Sequence, residues 1–153
     1  LAKPALFLVN GPGVDPGALP PTTFRPNTPD ATGLAGQAGY FAEEIRVFIE
    51  ALEGITSVVT SDHIMNLLEE ISGKLPEDKE RMLEVIRKYQ DLPDEERLIY
   101  RIGRRGGAFR STDDLERDPA TYRKIQNLLE QVRSEDGDPG VDRLIRDMVD
   151  RYI

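Results

Sequence analysis

The chain has 153 residues, a formal net charge of −8, 31% charged and 39% hydrophobic residues, a single histidine and no cysteine. That length fits one domain with a real core, and the negative charge argues against a general nucleic-acid or membrane-surface binder. The lack of cysteine excludes disulfides, thiol nucleophiles, and thiolate ligation of metals or iron–sulfur clusters within this chain, and it is compatible with the cytoplasm.

Ala5-Leu6-Phe7-Leu8-Val9 is a short apolar run bounded by Pro4 and Asn10-Gly11-Pro12, and it predicts a buried strand of a parallel sheet. It is too short to span a bilayer and lacks the long core and cleavage site of a signal peptide. The chain opens at Leu1 rather than at a methionine, which reads as a portion of a longer protein. Residues 11–36 are a proline- and glycine-rich connection, either a surface wrap or a loop over a site. Gly11-Pro12-Gly13 lacks the spacing of a dinucleotide-binding or Walker loop.

Residues 37–52 carry Tyr40, Phe41, Ile45, Phe48, Ile49 and Leu52 at helical spacing, with Gly54 as the stop. The β-branched residues 55–60 predict a second strand. Strand, helix and strand make a right-handed parallel βαβ unit. Such a unit brings Asn10 and Ser61-Asp62-His63 to one edge of the sheet, where parallel α/β folds place their ligands.

A helix over residues 62–71 comes next, capped by Ser61 or Asp62 and stopped by Ser72-Gly73. Pro76 opens another, to about Gln90, and Leu92-Pro93 breaks it. Residues 94–102 form a further helix, ended by the glycines of residues 103–107. Ser111-Thr112-Asp113-Asp114-Leu115 reads as a capped turn, and residues 119–133 as a helix. Glu135-Asp136-Gly137-Asp138 is a turn, after which Pro139 starts the last helix. The fold class is therefore α-rich α/β. Residues 1–60 form the βαβ portion, with its loop at 11–36, and residues 61–153 form a helical extension.

Two groups of residues carry chemistry. Asp62 and His63, with Asn10, would bind substrate at the shared edge, His63 acting as a base or hydrogen-bond donor. Their structural alternative is a helix cap and a first-turn histidine. Arg97, Arg101, Arg104, Arg105 and Arg110 crowd an otherwise acidic chain. With Gly106-Gly107 beside them, Arg101, Arg104 and Arg105 would grip an anion such as phosphate or carboxylate, or touch RNA. Their structural alternative is pairing with Glu95, Glu96, Asp113 and Asp114 and with the C-terminal end of their own helix. Asp62, His63 and Asn66 are too few for a metal site.

The stretches SDHIMNLL, GKLPEDKERML and GRRGGAFRSTDDL occur in that order within residues 40–115. This region resembles the carboxy-terminal part of radical S-adenosylmethionine (radical SAM) proteins. The resemblance implies that residues 5–60 supply the last βαβ of a partial TIM-like barrel, with Asp62-His63 near its mouth. It also implies a preceding catalytic domain in the same polypeptide, carrying the 4Fe-4S cluster and S-adenosylmethionine. The family's CxxxCxxC motif has no counterpart here, so the chain by itself would be catalytically incomplete. The alternatives are a non-enzymatic helical protein-interaction module and an anion- or RNA-contacting module acting through the arginine run.

Overall fold

A computed structural model describes residues 7–10, 33–61 and 67–151. In chain order these form β1 (Phe7–Asn10), α1 (Gly33–Ala51), β2 (Ser57–Thr60), β3 (Gly73–Lys74), α2 (Lys79–Asp91), α3 (Asp94–Arg105), α4 (Asp114–Arg117) and α5 (Pro119–Asp150). Helices dominate, and the sheet is small.

The expected parallel βαβ unit is not formed. The three strands lie in the order β1-β2-β3, antiparallel at both pairings. Phe7 pairs with Thr60 and Asn10 with Ser57, so the chain enters β2 at the end where it left β1. The long excursion through α1 lets the chain return to that end, and a short apolar run does not encode strand direction. Burial along β2 fits the antiparallel arrangement: Ser57 and Val59 are buried while Val58 is exposed. One face therefore meets the core and the other meets water, whereas a strand of a parallel sheet is covered on both.

α1 begins at Gly33, so the proline- and glycine-rich connection gives way to helix sooner than its composition suggests. Ile49 and Leu52 are buried at the end of α1, and Gly54, at φ +68°, turns the chain out of it. A glycine adopts that left-handed backbone without a Cβ clash.

The expected helix over 62–71 is not continued through its described part; residues 67–72 form a turn, and 62–66 lie outside the described residues. Side chains occupy the carbonyls that helical amides would need. The Ser61 hydroxyl donates to the Leu68 carbonyl at 3.1 Å, and the Tyr100 hydroxyl donates to that of Leu67 at 2.9 Å. Arg81 donates to the carbonyls of Glu70 and Ser72. Such side-chain bonds compete directly with a helical ladder.

The turn from Gly73 into α2 contains a cis Leu75-Pro76 bond, and the Asp78 carboxylate accepts the Lys74 amide at 2.7 Å. α2 then buries Met82, Leu83, Ile86 and Tyr89, a three- and four-residue spacing that keeps them on one face. Pro93 precedes α3, whose first turn carries Asp94, Glu95 and Glu96 and whose last carries Arg104 and Arg105. That distribution matches the helix dipole at both ends.

α3 is the axis of the molecule. Every residue from Leu98 to Arg104 is buried, although the helix is highly charged. It is walled by its neighbours all round rather than along a single stripe. Tyr100 lies 5.8 Å from Tyr89 of α2, ring centre to ring centre, and is stacked near-parallel on Phe109 at 6.5 Å. α5 packs on α3 with Ile125, Leu129, Val141 and Ile145 buried. α5 is not straight: Gly137 (φ +65°, ψ −161°) divides it into two arms, with Pro139 at the start of the second. The turn expected at Glu135-Asp136-Gly137-Asp138 is thus observed.

Candidate functional site

Antiparallel pairing removes the edge on which the first candidate site was expected. Asn10 sits opposite Ser57, at the start of β2, whereas the chain leaves β2 at Thr60, opposite Phe7. The carboxyl ends of the two strands therefore point to opposite ends of the sheet. Asp62 and His63 lie outside the described residues. Ser61, just before them, is buried, and its amide donates to the Ser72 hydroxyl at 3.0 Å.

The arginine run is where charge and structure meet. Arg101 is 3% exposed and Arg104 6%, while Arg97 and Arg105 are half-buried and Arg110 is exposed. Although residues 97, 101 and 104 fall on one side of α3 by helical spacing, the arginine side chains serve different neighbours. Arg97, Arg101 and Arg105, four residues apart, share the surroundings of the Tyr89 hydroxyl. Arg104 turns instead to the loop before β3 and pairs with Glu69 at 3.1 Å.

Electrostatics reflect this burial. The protein interior disfavours the guanidinium charge, lowering Arg101 below the ordinary arginine value and pushing Arg105 down to about 10. The neighbouring Arg101 charge adds to the effect at Arg105, and Asp142 of the second α5 arm partly offsets it at Arg101. The Tyr89 phenol is raised by burial, against the pull of the same arginines.

The backbone amides of the glycines after Arg105 are engaged within the chain. Gly106 N–H donates to the Ile102 carbonyl at 2.8 Å and Gly107 N–H to that of Arg104 at 3.1 Å. The amides of Ala108 and Phe109 both donate to Gly103, at 2.8 and 3.0 Å. This is the closure of a helix end, with Gly107 at φ +74°. The amides that a phosphate grip would use are already engaged.

The segment after α3 is equally internal. The Asp114 carboxylate accepts the amides of Arg110 and Ser111 at 2.8 and 3.0 Å, and Asp113 pairs with Lys88 of α2 and Arg117 of α4. Arg133 of α5 makes a two-pronged bond to Glu95 at 2.9 and 2.8 Å. Among the expected partners, Glu95 pairs with Arg133, and Asp113 with Lys88 and Arg117.

Sequence reasoning missed several residues that organise this region. Lys79 Nζ donates to the carbonyls of Glu50 and Leu52 at 2.7 and 3.0 Å, satisfying the open end of α1 from another helix. The signal was available, because a lysine in the first turn of a helix opposes that helix's own dipole. Arg81 and the Ser61–Ser72 pair leave no comparable pattern. Among the described residues no group of His, Cys, Asp or Glu is placed to hold a metal ion, and no helix is long and apolar enough to cross a membrane. Comparison with protein-family models, curated proteins and solved structures gives no match.

Proposed function

We propose that this chain is a non-catalytic helical module that offers an acid-dominated exterior to a protein partner. The observation that carries the reading is the burial of Arg101 and Arg104 inside α3. Two of the cations that temper the net charge of −8 are thereby withdrawn from the surface, while Glu44, Glu53, Glu84, Asp91 and Glu130 stay exposed. An acidic exterior steers association toward basic protein surfaces and away from nucleic acid. The cysteine-free composition accords with a cytoplasmic setting.

The radical SAM resemblance suggests one partner, a preceding catalytic domain of the same polypeptide. It rests on the resemblance of SDHIMNLL, GKLPEDKERML and GRRGGAFRSTDDL, the last of which is tied to α2 by the Lys88–Asp113 pair. A thiolate-held cluster does not fit this chain, which has no cysteine, and no step of such chemistry runs through its residues. The barrel-closing role is not part of the proposal, because the sheet is antiparallel.

The test is a binding titration of the intact chain against a lysine-rich peptide and a single-stranded RNA, at low and moderate salt. Salt-sensitive binding to the peptide and none to RNA is expected. RNA binding abolished by Arg104→Ala with Arg105→Ala would overturn the reading. The proposed partner is tested separately by reading the coding sequence upstream of Leu1. A CxxxCxxC segment there supports that partner, and its absence removes that partner alone.

A further inference from the structure

We propose that the second arm of α5 exchanges between two copies of the chain, giving a domain-swapped dimer. The corner that permits this is tight. Gly137 adopts a backbone conformation open essentially to glycine alone. A Cβ on Gly140 would fall 3.0 Å from the side chain of Val132, eight residues earlier. A straight helix would separate those positions by about 12 Å. The arms are therefore folded hard against each other across Gly137-Asp138.

Beyond the corner the arm is seated by apolar contact. Val141 and Ile145 are buried, Leu144 and Met148 pack on the core, and Met148 Cε lies 3.6 Å from the Cβ position of Gly106 at the end of α3. The bonds that belong to the corner itself are weaker in kind. They are the ion pairs of Arg143 with Asp136 at 2.7 Å and of Arg133 with Asp138 at 3.8 Å, all four side chains being exposed. Exposed pairs contribute little. Opening the corner gives up these pairs and the Gly140 packing. The apolar seat is regenerated in full when a second copy donates the same arm, because the arm and its seat are identical.

The remaining geometry agrees. Arg133 holds the first arm to Glu95 at the head of α3, so that arm stays in place in either form. Pro139 lacks an amide donor and clashes with a continuing helix, so the opened joint is angled and the two arms do not fuse into one rod. A short, tight joint between two helices is the arrangement that invites exchange. A second copy is the favoured occupant because the seat on α3 is already shaped to this arm.

The chain's lack of cysteine makes the test clean. Gly106→Cys with Met148→Cys, joined by a short bismaleimide, links the arm to its seat. The unmodified chain is followed in parallel by light scattering after refolding over a range of concentrations. Exchange predicts a covalent dimer whose fraction grows with concentration, a matching dimer in the unmodified chain, and a several-fold larger dimer fraction in Gly137→Ala. A crosslinked species that is always monomeric overturns the proposal. So does an unmodified chain that scatters as a monomer at every concentration, whether or not the crosslink forms.

Discussion

Gly103 and Phe109 are packed so closely that a Cβ on the glycine would lie 2.5 Å from Cε2 of the ring and closer still to Cδ2. The Phe109 ring is fully buried and stacks on Tyr100, so it cannot swing outward without leaving the core. Gly103→Ala is therefore expected to destabilise the fold by roughly 2–3 kcal/mol through overpacking. Urea denaturation measures this as a lower midpoint at unchanged slope. A midpoint equal to that of the parent would mean that the ring is not seated against the glycine.

Lys79 joins α2 to the end of α1 through two carbonyls. Lys79→Met keeps most of the aliphatic stem and removes both bonds. The expected loss is about 1.5–3 kcal/mol, the range for hydrogen bonds involving a charged group. Hydrogen exchange separates the mechanism from a general weakening, because protection should fall first in the last turn of α1. Uniform loss across all helices would refute the capping role.

Arg104 and Glu69 form one pair with unequal surroundings, the arginine buried and the carboxylate partly exposed. Arg104→Ala removes a packed stem as well as a charge, so about 2–3 kcal/mol is expected. Glu69→Gln is expected to cost less than about 1 kcal/mol, since its side chain remains in contact with water. Equal losses in the two variants would show that the ion pair, and not the packing, dominates.

Acid should weaken the fold through surface carboxylates. Bonds from Arg46 and then Gln90 hold Glu43 down to about 2, and Asp113 is lowered by its bond from Lys88. A carboxyl lowered in the folded state binds fewer protons there than in the unfolded chain. Its contribution is complete above the unfolded value of 4.5 and is lost as pH falls toward about 2. Thermal midpoints should drop through that window, and Glu43→Gln should flatten part of the drop. Superimposable pH curves for parent and variant would remove Glu43 from this account.

The helices were the legible part of the chain. The spacing of Met82, Ile86 and Tyr89 and the stop at Leu92-Pro93 identified α2. Glu135-Asp136-Gly137-Asp138 marked the bend in α5, because glycine and proline punctuation is local chemistry. Strand direction was not legible: the run around Phe7 to Val9 looks the same in either orientation, and only its pairing partner decides. The turn at residues 67–72 was hidden for a related reason. Leu67, Leu68 and Ile71 keep helical spacing, but Ser61, Arg81 and Tyr100 claim the carbonyls from elsewhere in the chain.

The arginine run was conspicuous as composition and misleading as location. Charge density in a sequence suggests a surface, and nothing local signals that α3 is enclosed on all sides. Only the assembled neighbours, Tyr89 on α2 and Asp142 on α5 among them, turn these cations inward.

The sheet also bears on the order in which the molecule assembles. β3, α2, α3 and α4 succeed one another closely in the chain, so their contacts can form early and nearly locally. β1 meets β2 only across the whole excursion between Asn10 and Ser57, and closing that loop carries an entropic penalty that neighbouring contacts avoid. The first strand in the sequence is thus placed to be the last to dock, and the earliest to come away when the native state begins to loosen.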